Sequence, residues 1–116
     1  MNAEGRIFLT LFHVTTKHSV NNIISQGIDP AKSVGKWKVS WFVEFENIMW
    51  AIAHTSNRKQ VVTGDLAVFV VVVDASLLKR TRWKGVWTKD SVTRVSYRHF
   101  AGIEKFISDP EYTQHE

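Results

Sequence analysis

The sequence predicts a single α+β domain, and three observations carry that prediction. A chain of 116 residues can bury one real core but is too short for two. Hydrophobic residues at 44% against 22% charged describe a chain that folds rather than one that stays disordered. Helical periodicity is confined to two stretches of the first half, whereas β-branched apolar runs open the chain and dominate its later part.

Ile7 to Val14 is apolar on both alternating sets, broken by Thr10 and His13, as expected of a strand covered on both faces. Thr15 and Thr16 then offer hydroxyl caps, and Val20, Ile23 and Ile24 recur at helical spacing. Gly27 closes this short helix and Asp29-Pro30 ends it. Ala31 to Lys38 reads as a basic loop and Val39 to Phe45 as a second strand. Glu46 and Asn47 suit the first turn of a second helix. In it Ile48, Ala51, Ile52 and Thr55 share one face, while Trp50, His54 and Asn57 or Arg58 share another.

Gly64-Asp65 turns the chain into Leu66 to Val73, whose valines and Phe69 mark the centre of a sheet. Asp74 to Leu78 reads as a tight turn or a single helical turn. Gly85 to Thr88, Val92 to Val95 and Ile103 to Ile107 are further strand candidates. The domain is expected to span residues 1–108, with Asp109 to Glu116 as a frayed tail.

Cysteine is absent, which removes disulfide scaffolds, thiolate zinc sites and Cys nucleophiles together. Met1 to Arg6 lacks the features of a signal peptide, and the apolar run Leu66 to Val73 is too short to cross a bilayer. A cytoplasmic protein without a membrane partner is the expectation. The spacings of P-loop, dinucleotide-fold and nucleophile-elbow motifs are all missing. His13, His54 and His99 have no zinc-helix spacing, so no metal is expected.

The formal charge of +4 is clustered around tryptophan, of which there are five. Lys32, Lys36 and Lys38 surround Trp37, and Lys79, Arg80, Arg82 and Lys84 surround Trp83 with Trp87 just beyond. Cations interleaved with aromatics suit an anionic ligand that carries bases, a dinucleotide or a nucleic acid; the plainer reading is a solvated basic face. Lys36, Lys38, Arg80, Arg82 and Lys84 are the anion-contact candidates.

His13 stands where a buried strand gives way to a turn, so its imidazole can hold one tautomer and donate to a ribose hydroxyl while Thr15 adds a contact. Trp41 and Phe42 are strand neighbours, so one faces the core and the other a cleft, with Ser40 beside them. Trp50 and His54 share a helix face, placing His54 as an acid, base or phosphate contact. Each of these also has a packing explanation. Glu44, Asp74 and Asp90 lie near strand ends, where a carboxylate can orient a ribose hydroxyl or stabilise an oxocarbenium-like centre, although Asp74 also suits a turn.

Taken together, the order of elements resembles the ADP-ribosyltransferase-like superfamily. Phe12-His13-Val14-Thr15 is similar to its aromatic-His-x-Thr strand end. Asn21 or Asn22 with Ile24 and Gly27-Ile28 resembles the helix that follows, and Trp41-Phe42 leading to Trp50-Ala51-Ile52-Ala53-His54 resembles the second strand and its helix. The resemblance runs from about residue 7 to residue 75.

It implies a split, mixed or antiparallel sheet with two short helices, and NAD as a substrate held between the halves. His13 would contact a ribose, Thr15 would support it, and Trp41 would replace the tyrosine that stacks on nicotinamide. Val14, Ser40, Phe42 and Trp50 would complete the dinucleotide site, with His13, Trp41 and His54 as the catalytic candidates. The family's glutamate on a late strand has no counterpart, since Trp87 to Val95 offers only Asp90, Ser91 and Thr93.

Three outcomes stay open. The chain transfers ADP-ribose to a protein, RNA or DNA acceptor; it performs RNA-phosphate chemistry; or it binds a nucleotide or nucleic acid through the basic and tryptophan-rich surface without turnover. A small toxin or inhibitor acting on one protein partner is a further class.

Overall fold

The computed structural model describes residues 5–33, 38–95 and 98–113. Lys36 and Trp37 of the first basic cluster lie outside the described residues. The first half runs β1 (Phe8–Thr16), α1 (Val20–Gln26), β2 (Ser40–Val43) and α2 (Ile48–Lys59). There follow β3 (Leu66–Asp74), β4 (Lys79–Arg80), β5 (Val86–Lys89), β6 (His99–Ala101), α3 (Ile103–Ile107) and α4 (Pro110–Thr113). Short 3-10 turns, such as Pro30–Lys32 and Phe45–Asn47, join several of them.

One sheet of six strands, ordered β4-β5-β2-β1-β3-β6, carries the molecule, and each of its pairings is antiparallel. The antiparallel option therefore holds and the mixed one falls. β1 and β3 pair along their whole length, from Phe8↔Asp74 to Thr16↔Leu66. β1 and β2 meet at the single pair Phe12↔Val43. The sheet is thus two well-paired halves joined at one point.

Successive strand residues point to opposite faces, and β3 is apolar from Leu66 to Val73 because both of its faces are covered as far as Val71; Val72 is exposed. Leu66, Val68 and Val70 join Phe12, Ile48, Ile52 and Phe106 in one core beneath α2 and α3. Ala67, Phe69, Val71 and Val73 join Leu11, Val20, Ile28 and Phe42 in the other, on the side of α1. Among the described residues no helix is long and apolar enough to cross a membrane.

Several expectations are corrected. Ile103 to Ile107 is helix α3 rather than a strand: Ile103 and Phe106, three apart, are buried, while Ile107 is exposed. Pro110–Thr113 of the expected tail is helix α4, because Tyr112 is buried against Phe12, Phe100 and Phe106. Arg98 fixes that end of the chain, its Nη2 and Nη1 each 2.7 Å from Asp109 Oδ2 and Glu111 Oε1. Val92 to Val95 forms only the isolated bridge Thr93↔Ile28. Thr15 and Thr16 stay in β1 opposite Ala67 and Leu66; Thr16 precedes the Lys17–Ser19 3-10 turn, but its hydroxyl pairs with Ser19 Oγ and makes no hydrogen bond to a helix N–H.

Candidate functional site

Past Phe12↔Val43 the backbones of β1 and β2 no longer pair, and a side chain bridges the gap. His13 Nδ1 lies 2.8 Å from the Trp41 carbonyl oxygen. A carbonyl only accepts, so Nδ1 carries the proton and donates. Burial holds the His13 pKa below its usual value of 6.5, and the Lys59 charge adds to this against the opposing effect of the Trp41 carbonyl. The ring is therefore neutral at pH 7, with Nε2 as an acceptor. The expected donation to a ribose hydroxyl is corrected: the donor nitrogen serves Trp41, and the remaining nitrogen can only receive a hydroxyl proton.

A cleft of about 460 Å³ opens at this split, between α1 with the Pro30–Lys32 turn on one side and α2 on the other. This volume is in the range of small-molecule sites. His13, Val14, Thr15, Ser40, Trp41, Trp50 and His54, all expected at one site, line it together. Thr15 and Ser40 are nonetheless buried and offer little surface to it. The Trp50 and His54 rings stack at 4.9 Å with 14° between their planes, as residues four apart on one helix face can.

Phe42 does not belong to this set. Alternation along β2 turns it away from Trp41 and into the core on the α1 side, where it is 0% exposed. Its ring lies 5.4 Å from that of His13, so it packs beside the imidazole and does not face a ligand.

The cations are distributed differently from the expectation. Lys32, Arg58 and Lys59 line the cleft. Arg80, Arg82 and Lys84 stand outside it on the β4–β5 hairpin, and Lys38 borders a second, smaller hollow near Asp90. The helical spacing of Arg58 from His54 and Trp50 was a signal for its position, and Lys32 belonged to the first basic cluster; Lys59 had no signal.

Trp83 is the cleft residue that sequence reasoning assigned elsewhere. The hairpin brings its ring to 6.5 Å from Trp41 and 6.4 Å from Trp50. Nothing local in the sequence connects these three positions. The Arg82 guanidinium lies over Trp83 at 4.7 Å, and that of Arg80 lies over Trp87 at 5.3 Å.

The three acidic candidates are occupied away from the cleft. Asp74 Oδ1 accepts from the Ser76 N–H at 2.9 Å, which holds the carboxyl below the usual range and makes Asp74 a turn former. Glu44 Oε2 accepts from Trp87 Nε1 at 3.0 Å, and Asp90 is 3.7 Å from Lys79 Nζ. Among the described residues Asp29 is the only carboxylate lining the cleft, and its Oδ1 accepts from the Ala31 N–H at 2.9 Å. No group of three or more His, Asp or Glu side chains gathers as a metal site among the described residues. Comparison with protein-family models, curated proteins and solved structures gives no match for the chain.

Proposed function

We propose that the cleft binds NAD or a closely related dinucleotide as a substrate and transfers its ADP-ribosyl group to an acceptor. The observation that carries this reading is His13, held neutral across the strand split with Nε2 as an acceptor, in the same cleft as the Trp41 face. An acceptor nitrogen suits a ribose hydroxyl, an indole suits the nicotinamide ring, and Lys32, Arg58 and Lys59 suit a diphosphate. The resemblance of Phe12-His13-Val14-Thr15 and Trp41 to the ADP-ribosyltransferase-like superfamily supports the same reading.

In the transfer the bond from nicotinamide to the ribose C1′ breaks with its electron pair leaving on nicotinamide. The acceptor forms a bond to C1′ and loses a proton. Asp29, the carboxylate that lines the cleft, is the group available to offset the charge that develops on the ribose. Its hydrogen bond to Ala31 leaves one carboxylate oxygen for that task.

Thermal melting with NAD tests binding, since a ligand at a hundred times its dissociation constant adds about 2.7 kcal/mol of stability. The wild-type melting temperature should rise, and His13→Ala should lose the rise together with transfer of label from a tagged NAD. If NAD leaves the melting temperature unchanged, and neither nicotinamide release nor labelling of protein, DNA or RNA is seen, the reading is wrong.

A further inference from the structure

Trp83 is exposed at a hairpin tip, yet it is held in place. Asn47 Nδ2 donates to the Lys84 carbonyl at 2.7 Å, the Glu44 N–H donates to the Gly85 carbonyl at 2.8 Å, and the Trp83 N–H donates to Thr81 Oγ1 at 3.1 Å. Gly85 takes φ 76°, and a Cβ there would come within 2.5 Å of Asn47 Nδ2, so the tip sits directly on the segment that starts α2. An indole that is 47% exposed is thereby presented at a fixed place beside Trp41 and Trp50, which are 40% and 45% exposed.

Three indoles exposed together at a cleft mouth form an apolar surface of the kind that marks a binding site. The charge beside them selects among occupants. Arg82 over Trp83 repels a cationic ligand that three aromatic rings would otherwise attract. An acidic peptide would satisfy Arg82 but would give the indole faces nothing flat to stack on. An unpaired nucleobase next to a phosphate satisfies both, and a base inside a duplex has its faces already covered.

We infer that the mouth of the cleft is a stacking platform for unpaired bases of a single-stranded nucleic acid, with Arg82 taking an adjoining phosphate. This deepens the proposed transferase reading by naming what reaches the cleft as acceptor, and it rests on that reading only for the transfer, not for the binding.

The test is fluorescence anisotropy of labelled 12-mers on the full chain without dinucleotide, using single-stranded DNA, single-stranded RNA and the matching duplex, with heparin as a competitor that carries charge alone. A single strand should bind at least tenfold tighter than the duplex, and the DNA and RNA arms identify the sugar. Trp83→Ala should weaken binding about tenfold with little change in salt dependence, and Trp83→Phe should restore most of it. Arg82→Ala should lower the slope of log affinity against log salt by about 0.7. Equal affinity for duplex, complete competition by heparin at matched charge, or unchanged binding by a folded Trp83→Ala chain would overturn the platform. Because no dinucleotide is present, an absent melting response to NAD overturns the transferase reading alone, and absent strand binding overturns the platform alone.

Discussion

At Gly27 the backbone takes φ 86° and ψ 175°, a conformation that glycine alone adopts without strain. A Cβ would also lie 2.8 Å from both the Thr93 carbonyl oxygen and Val92 Cγ1. Gly27→Ala should therefore cost about 1–3 kcal/mol from strain, before the clash is added. Urea melts measure it, and unchanged stability would contradict this backbone. His13 gives a pH signature of opposite origin. Its folded pKa lies below the unfolded value of about 6.5, so the unfolded chain binds the proton first. The stability is full above 6.5 and is lost as pH falls from there through the folded pKa. Protonation also turns Nε2 from acceptor to donor, so the NAD response should fade as pH falls through the folded pKa, at the lower end of that window. Melts across this range should show a decline in the wild type that His13→Asn reduces; an identical decline in both would assign it to other groups.

The elements differ in how far short sequence windows could reveal them. β1, β3 and α2 were legible because their apolar patterns extend over nine to twelve residues. Ile103-Glu104-Lys105-Phe106-Ile107 was not, because five residues fit either period. A strand would bury Ile103 and Ile107 together; the helix buries Ile103 and Phe106. Phe106→Ala should thus cost about 3–5 kcal/mol, while Ile107→Ala should have a small effect. Comparable losses at both positions would favour the strand. Tyr112 was hidden for a different reason, since one aromatic in a polar segment has no period, and its burial comes from Phe12 and Phe100, distant in sequence. The β4–β5 tip supplies a separate element-scale test. Asn47→Ala removes one hydrogen bond to Lys84, worth about 1 kcal/mol, and releases Trp83 from its place. Tryptophan emission should move to longer wavelength with a small drop in melting temperature. An unshifted spectrum would mean that the tip is held by Gly85 and Thr81 alone.

At the scale of the whole molecule, the order of elements placed His13 and Trp41 at one split, but Trp83 reaches the same cleft through a pairing remote in sequence. The split has a mechanical consequence. β1, β3 and β6 form one half and β4, β5 and β2 the other, with Phe12↔Val43 as their one backbone pair. Across it lie the His13 bond to Trp41 and the core in which Ile48, Ala51 and Ile52 of α2 pack with Phe12. The β1–β3 ladder is continuous from Phe8↔Asp74 to Thr16↔Leu66 and buried over most of β3, whereas β5 ends beside the exposed two-residue strand β4. Opening of the smaller half therefore breaks fewer contacts than global unfolding. Native-state hydrogen exchange should find the amides of β2 and β5 exchanging faster than those of Leu11 to Val14 and Val68 to Val71. NAD bound across the split should slow β2 and β5 more than β1 and β3, because only the smaller half can open without unfolding the rest. One common rate for all strands would show that the halves open together, and the joint at Phe12 would then be as strong as the ladders it connects.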